Sequence, residues 1–108
     1  MRFGPWYPLA DAGDRAPAAP GVLQLRLATG LVDYPRGKSA MVWYAHGQDV
    51  RAAATALAIV HARTLEQLVC RHLIEIAPGT DLATFCNKLR SDFVQRFGSV
   101  PLYERQDA

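Results

Sequence analysis

The side chains best suited to chemistry lie close together, in the stretch DYPRGKSAMVWYAHGQDVR at positions 33–51. Its histidine, His46, can act as a general base near neutral pH, because an imidazole exchanges its proton in that range. A phenol, Tyr44, stands two residues earlier. The cations of the stretch that can hold phosphate groups are Arg36, Lys38 and Arg51. These residue types indicate either a surface that binds phosphate or a site that cleaves a phosphodiester.

The triplet GKS at positions 37–39 also occurs in the phosphate-binding loop of many nucleotide-binding proteins, but its surroundings here differ from that loop. The loop needs a second glycine five residues before its last glycine, where this chain has Val32. The loop also opens directly into a helix, whereas Ser39 is followed by AMVWY, which has the pattern of a strand. The triplet is therefore predicted to lie in a basic hairpin loop.

The sulfur and imidazole groups that could bind a metal are Cys70, Cys86, His61 and His72. Structural zinc needs four such ligands, usually in closely spaced pairs, and these four residues do not form such pairs. Both cysteines fall in segments that have the pattern of a buried strand or helix. We therefore expect two unpaired thiols that pack as small apolar side chains.

The length and composition fit one domain over residues 1–108, since the chain has 108 residues and half of them are hydrophobic. There is no run of about 18 apolar residues and no cleavable leader pattern, so we expect no membrane contact and a cytoplasmic location. The formal net charge is +2, from 12 basic and 10 acidic side chains. Because this surplus is small, the distribution of the cations matters more than their number.

Two strands and a helix must position the stretch 33–51. The segment GVLQLRL at 21–27 alternates apolar and polar residues between turn formers, which predicts a strand, and residues 40–45 predict a second one. About a dozen residues rich in turn formers join them, which indicates an antiparallel hairpin with a long tip. Asp49 is a natural N-cap for a helix over 49–62.

The remaining elements complete a small fold. A third strand is predicted over 69–76, and a helix over 81–97 with apolar spacings of three and four. Residues 1–20 contain four prolines and are predicted to form an irregular segment that packs on the core, with at most a short helical turn. The predicted fold class is α/β in the α+β sense, with the order β-β-α-β-α and a central sheet of about three strands flanked by helices.

This order, together with the segments PGVLQLR and MVWYAHGQDVRAA, resembles the GIY-YIG nuclease family over a core of residues 21–101. That family opens with a strand carrying Gly-Ile-Tyr and follows with a strand carrying Tyr-Ile-Gly. An arginine stands near the start of its first helix. The resemblance places the first triplet at residues 21–23, the second at residues 43–45, and the arginine at Arg51.

In that family the tyrosines position or activate the attacking water, a glutamate on a later helix binds one divalent cation, and the arginine stabilises the phosphate. Here the matched tyrosine positions hold Leu23 and Trp43. Tyr44 is one residue out of register, so it should lie on the opposite side of its strand. The glutamate is absent too, and Asp92 is the residue that could stand in as a ligand of Mg²⁺ or Mn²⁺. The resemblance thus leaves Arg51 as the retained phosphate contact.

We expect a catalytically degenerate domain that needs no cofactor and binds DNA, RNA or a protein partner through the former active-site face. Its predicted phosphate contacts are Arg36, Lys38 and Arg51. A first alternative is an active metal-dependent DNA endonuclease, whose Mg²⁺ or Mn²⁺ would act with Tyr44, His46, Arg51 and Asp92. A second alternative is a small scaffold or regulatory protein without a role in nucleic-acid binding. Cations that converge on one concave face would favour nucleic acid, whereas dispersed cations would favour the scaffold.

Overall fold

The computed structural model describes residues 1–106, so the last two residues of the predicted domain lie outside the described part. Its strands are β1 (Arg2–Phe3), β2 (Tyr7–Pro8), β3 (Gly21–Leu27), β4 (Val32–Tyr34), β5 (Gly37–Ser39), β6 (Met41–Gly47) and β7 (Leu68–Glu75). Its α-helices are α1 (Ala12–Arg15), α2 (Val50–Val60), α3 (Leu82–Phe97) and α4 (Leu102–Gln106). Two 3₁₀ segments cover Leu9–Asp11 and Ala62–Gln67. No helix of this described part is long and apolar enough to cross a membrane.

The central sheet has the strand order β1-β7-β3-β6, and β2 also pairs with β7, which is an inner strand. All of these pairings are antiparallel. The α+β class and the order β-β-α-β-α are confirmed by β3, β6, α2, β7 and α3. The boundaries of these elements differ from the predicted ones by one or two residues, which is the usual uncertainty at the ends of elements.

The helices begin and end where their flanking residues satisfy the terminal backbone groups. The carboxylate of Asp49 accepts a hydrogen bond from the backbone N–H of Ala52 at 2.9 Å, and Asp81 caps α3 in the same way. Helix α3 ends at Gly98, whose φ of 84° is left-handed and favours glycine. These three residues therefore fix the ends of the helices that cover the sheet.

The central strand β3 separates two apolar cores. On the first side, which we name the α2 face, the core contains Leu23, Leu25, Val50, Ala54 and Cys70. Each of these five side chains is at most 2% exposed. The segment that contains α1 closes this face, because its buried alanines belong to the same core. The predicted packing of α2 against the sheet is confirmed.

The second side, which we name the α3 face, has a smaller core of Val22, Leu73 and Cys86. Both cysteines of the chain are buried and unpaired, as predicted. Near the end of α3, Phe93 is 4% exposed and its ring lies 4.9 Å from that of Tyr34. The aromatic spacing of α3 thus forms the packing surface that its sequence predicts.

Three parts of the fold are absent from the sequence prediction. The N-terminal segment, predicted to be irregular, contains β1 and β2, which pair with β7 more than 60 positions later. The predicted long hairpin tip forms its own ribbon of β4 and β5. Helix α4 lies beside the outer edge of β6. There Tyr34 donates to the carbonyl of Met41 at 2.6 Å and accepts from the N–H of Leu102 at 3.1 Å, which covers an edge that is otherwise open.

Candidate functional site

The positions that the resemblance matches to catalytic tyrosines belong to the core of the α2 face. Leu23 is 1% exposed and lies in the middle strand of the sheet. Trp43 pairs with Leu25 across β3 and β6 and packs on the same core, where it is partly buried. Ala12 and Ala16 cover this core from the N-terminal segment. A phosphodiester cannot reach Leu23 unless this cover is displaced.

Arg51 is exposed and uses one side-chain donor within the protein. Its Nε donates to the carbonyl of Ala16 at 2.7 Å, and its backbone N–H donates to the carbonyl of Pro17 at 3.0 Å. These bonds tie the N-terminal segment to the first turn of α2. They also account for a cation at a helix N-terminus, where the helix dipole alone disfavours positive charge.

Tyr44 and His46 lie on the α3 face, on the other side of the sheet from Arg51. Tyr44 pairs with Gln24 across β3 and β6, on the side of the strand that alternation predicts. Burial first, and then the nearby Tyr34, raises the pKa of Tyr44 to about 12, so its phenol stays protonated at neutral pH. His46 is exposed near the end of β6. The structure therefore separates both residues from Arg51.

Asp92 is exposed on α3 and forms an ion pair with Lys88, one turn earlier, at 3.0 Å. Its negative charge is among the causes that raise the pKa of Tyr44, so these two residues share a neighbourhood. Within residues 1–106, no group of three or more histidine, cysteine or acidic side chains is placed to hold a metal ion together. The partner that the structure gives to Asp92 is a lysine.

Arg36 lies in the turn between β4 and β5 and binds the end of α3. Its backbone N–H donates to the carbonyl of Phe97 at 3.0 Å, and its guanidinium donates to the carbonyl of Gln95. In return, the guanidinium of Arg96 approaches the carbonyl of Arg36 at 3.4 Å. The hairpin turn and the C-terminal end of α3 are therefore joined, and positive charge is favourable at that end of a helix.

This junction gathers exposed cations. We define the hairpin patch as Arg36, Lys38, Arg96 and Arg105. Among residues 1–106, one of the four has a carboxylate within ion-pair distance, since Lys38 lies 3.6 Å from Asp33. The guanidinium of Arg105 is 5.9 Å from the ring of Tyr34, and that of Arg96 is 4.9 Å from the ring of Phe97. Exposed cations thus lie over the buried ring of Tyr34 and the partly buried ring of Phe97.

The three predicted phosphate contacts do not converge on one face. Arg36 and Lys38 precede β6, whereas Arg51 follows it. A strand of this length spans roughly 20 Å, and the hairpin patch contacts α3 while Arg51 lies on the α2 face. The structure therefore brings Arg36 and Lys38 together with Arg96 and leaves Arg51 on the α2 face. Because the three predicted contacts are dispersed, they favour the scaffold hypothesis by themselves, and the case for nucleic acid rests on cations that are grouped elsewhere.

A second group of cations, which the sequence analysis does not single out, lies on the α3 face. We define the arginine cluster as Trp6, Gln24, Arg26 and Arg71. The guanidinium carbon of Arg26 lies 3.9 Å from the centre of the Trp6 ring, and that of Arg71 lies 4.6 Å from the same ring. The Nε of Arg71 donates to the side-chain oxygen of Gln24 at 2.6 Å. The cluster is therefore a fixed arrangement of two guanidinium groups, one indole and one amide.

The positive charge of the arginine cluster is not balanced by neighbouring acids. Among residues 1–106, no carboxylate forms an ion pair with Arg26 or Arg71. Both side chains are partly buried. Burial, and next the charge of Arg26, lowers the pKa of Arg71, which means that its charged form is held at some cost. An anion placed between the two groups would reduce that cost.

The sequence does contain a signal for this cluster. In GVLQLRL the polar residues Gln24 and Arg26 alternate with leucines, which places them on one face of β3. Arg71 joins them because β7 pairs with β3 so that it lies opposite Gln24. The arrival of Trp6 depends on the pairing of the N-terminal segment with β7. That pairing is long-range, and no local pattern predicts it.

A polar group of a different kind is buried in the α2 face. The hydroxyl of Tyr7 is hydrogen-bonded to Nδ1 of His72 at 2.8 Å, and the guanidinium of Arg15 lies 4.7 Å from the Tyr7 ring. Burial raises the pKa of Tyr7, and it raises the pKa of the neighbouring Cys70 to about 11. Burial, and next the charge of Arg15, lowers the pKa of His72. The phenol of Tyr7, the thiol of Cys70 and the imidazole of His72 are therefore neutral at neutral pH. The hydrogen bond between Tyr7 and His72 fixes the N-terminal segment to β7.

A cavity of about 590 Å³ opens at the C-terminal end of α2. Its rim includes two exposed apolar residues, Ile59 and Val60, and one cation, Arg63. The ring of His61 stacks on that of Tyr103 beside it at 4.0 Å. Because its lining carries a single arginine, this cavity lacks the concentrated positive charge of a phosphate site.

Comparison of the chain with models of protein families, with curated proteins and with solved structures finds no match.

Proposed function

We propose that this protein is a GIY-YIG-like domain that binds nucleic acid without cleaving it, and that it makes its first phosphate contacts through the hairpin patch. The observation that carries this proposal is the grouping of four exposed cations, of which Lys38 alone pairs with a carboxylate of residues 1–106, that of Asp33. Clustered arginine and lysine side chains supply most of the affinity for a phosphate backbone. The cytoplasmic location expected from the sequence is part of this proposal.

The charge balance of the whole described chain supports binding of a polyanion. Four of the twelve basic side chains form ion pairs with carboxylates, and the other eight do not within residues 1–106. The aromatic rings of Tyr34 and Phe97, which lie 5.8 Å apart, stand among the cations of the hairpin patch. A modest net charge therefore coexists with a concentrated local surplus.

The environment of the matched catalytic positions supports the absence of cleavage. Hydrolysis of a phosphodiester needs a group that deprotonates water and a group that stabilises the charged phosphate, both in contact with the substrate. The buried Leu23 supplies neither group, and the phenol of Tyr44 stays protonated at neutral pH. Arg51 binds the carbonyl of Ala16 on the other side of the sheet.

The proposal is tested by following binding and cleavage in the same samples. Fluorescein-labelled single-stranded, double-stranded and branched DNA, and single-stranded RNA, are titrated with the protein at low salt, with Mg²⁺ or Mn²⁺. Polarisation measures binding, and a denaturing gel of each sample measures cleavage. We expect binding without cleavage, and a binding constant that falls with salt by a logarithmic slope of about 0.7 for each phosphate contact on a single strand.

Matched variants locate the surface. Lys38→Gln and Arg105→Gln each remove one charge from the hairpin patch without removing a hydrogen bond to α3, so we expect each to weaken binding. Arg2→Gln removes the same charge from the exposed ion pair with Glu75 and serves as the control. Absence of binding at low salt would leave the scaffold hypothesis. Metal-dependent cleavage that is lost in Asp92→Ala would instead establish the endonuclease.

A further inference from the structure

We propose that the arginine cluster is a second phosphate-binding site, which takes an unpaired nucleotide of a single-stranded nucleic acid. This inference rests on the proposed function, because it takes the ligand to be nucleic acid. In this arrangement Arg26 and Arg71 contact the phosphate, and Trp6 lies beside the base of the same nucleotide.

The hydrogen-bonding capacity of the cluster is largely unused within the described chain. Arg71 uses its Nε for Gln24, which leaves both of its terminal nitrogens as donors. Arg26 stacks on Trp6 and donates no side-chain hydrogen bond to residues 1–106. Planar guanidinium groups bind phosphate oxygens through two parallel N–H donors. Two such groups on one indole therefore present several donors to a single phosphate.

The cluster is held in place before any ligand arrives. Gln24 is 5% exposed, and its side-chain oxygen fixes the Nε of Arg71 at 2.6 Å. The guanidinium of Arg71 also lies 4.8 Å from the ring of Phe3, so aromatic rings from two positions of the N-terminal segment hold it. A contact made by such fixed side chains loses less conformational entropy than one made by free surface arginines.

Stacking on aromatic rings explains why the arginines are ordered but leaves their charge uncompensated. A cation over an indole is attracted by the ring, and more strongly when it is desolvated. One arginine is enough to make this cation–π interaction with the Trp6 ring. The second guanidinium adds repulsion, which is one of the causes that lower the pKa of Arg71. A bound phosphate is the ligand that this pair of charges favours.

The position of the cluster favours a single strand that also contacts the hairpin patch. Arg26 pairs with Met41 across the sheet, and the carbonyl of Met41 accepts the hydrogen bond of Tyr34 beside the patch. The two arginines are partly buried, so a phosphate must come close to the strand surface to meet them. A flexible single strand can do so, and its unpaired bases can stack on aromatic rings or guanidinium planes. The bases of a duplex are not available for such stacking.

The fluorescence of Trp6 gives a direct test. The chain has two tryptophans, so Trp43→Phe leaves Trp6 as the sole emitter. This variant is titrated with a fluorescein-free 12-mer of single-stranded DNA and with the matching duplex, while polarisation with labelled DNA measures binding independently. We expect the single strand to change Trp6 emission at the concentrations where it binds, and the duplex to change it less.

Arg26 donates no side-chain hydrogen bond to residues 1–106, so its substitution should change binding without unfolding the protein. Arg26→Gln should weaken single-strand binding about tenfold, which is the loss of one hydrogen-bonded charge, and lower the salt slope by about 0.7. Arg26→Lys keeps the charge and should lose part of the affinity, whereas the control Arg2→Gln should keep the affinity of the parent. Thermal unfolding of each variant verifies that it is folded.

The outcomes distinguish this inference from the proposed function. If the parent protein binds the single strand but Trp6 emission and the Arg26→Gln affinity are unchanged, the arginine cluster is not a nucleotide site, although the proposed function stands. If no nucleic acid and no inorganic phosphate binds the parent at low salt, the proposed function and this inference fail together, whereas binding of the duplex alone would contradict this inference and leave the proposed function. A response of Trp6 to inorganic phosphate alone would show an anion site and contradict the assignment to nucleic acid.

Discussion

The two faces of strand β3 carry different side chains and are covered to different extents. On the α2 face, Leu23 and Leu25 are at most 1% exposed under α1 and α2. On the α3 face, Gln24 and Arg26 follow each other on the same strand, and Arg26 is partly exposed. The sheet therefore has one face that is closed by apolar packing and one that keeps charge near solvent.

The difference between the two faces bears on where a ligand surface lies relative to the positions that the resemblance marks. The resemblance to nucleases places the catalytic positions at Leu23 and Trp43, on the closed face. The two groups of cations described above lie on the α3 face and on the hairpin patch that contacts α3. The order of strands and helices therefore does not by itself locate a ligand surface.

The largest effect that we expect concerns the packing of the α3 face. Phe93 is 4% exposed and its ring lies 4.7 Å from that of Phe97 and 4.9 Å from that of Tyr34. Phe93→Ala should lower the free energy of unfolding by about 3–5 kcal/mol, because it leaves a cavity among these rings. Urea denaturation followed by circular dichroism measures this. A loss below about 1 kcal/mol would show that α3 does not bury this side chain.

A smaller effect is expected for the polar contact within the α3 face. Gln24→Leu removes the oxygen that accepts the hydrogen bond of Arg71, so the partly buried guanidinium loses its partner. The free energy of unfolding should fall by about 1–3 kcal/mol. The double variant Gln24→Leu, Arg71→Met removes both partners and should regain part of that loss. If the single and double variants were equally stable, the two side chains would not be coupled in solution.

On the α2 face, Arg51→Ala tests the comparison between the two faces, because we expect it to lower the stability of the fold and to leave nucleic-acid binding unchanged. It removes the bond from Nε to the carbonyl of Ala16, which should cost about 1 kcal/mol of unfolding free energy. Affinity for single-stranded DNA should remain close to that of the parent. A large loss of affinity with little change in stability would place the nucleic acid on the face that carries Arg51.

The smallest effect is a pH dependence that arises from His72. Its folded-state pKa is lowered by burial and then by Arg15, so the folded protein disfavours the protonated imidazole. The unfolded chain takes up that proton below about pH 6.5, so this contribution to stability is complete above that pH and is lost as the pH falls through the lowered pKa of the folded state. Comparing His72→Gln with the parent in urea at pH 7.5 and pH 5 measures it. The parent should lose more stability on acidification than the variant, and an equal loss would contradict the lowered pKa.

Local patterns were sufficient to predict the central elements. The alternation in GVLQLRL predicts β3, and the caps Asp49 and Asp81 with Gly98 predict the ends of α2 and α3. Each of these signals acts within a few residues. The strands β1 and β2 could not be predicted in this way, because two-residue strands have no period and exist here through pairing with β7.

The candidate site was less predictable for the same physical reason. Arg36 and Lys38 are recognisable as a basic turn, but their grouping with Arg96 depends on the contact between that turn and the end of α3. Trp6 reaches Arg26 only through the long-range pairing of the N-terminal segment. The predicted convergence of Arg51 with the hairpin cations assumed that neighbours in sequence share a face, and a full strand separates them.

The central claim is that nucleic acid contacts the α3 face and the hairpin patch, and leaves the α2 face free. Correlation spectra of the ¹⁵N-labelled protein, titrated with a single-stranded 12-mer at low salt, test it most directly. We predict that the indole N–H of Trp6 and the Nε–H groups of Arg26 and Arg71 shift together with backbone amides of β4 and β5, while amides of the first turn of α2 do not. Shifts concentrated at Arg51 and Ala16, or no shifts at all, would contradict the claim.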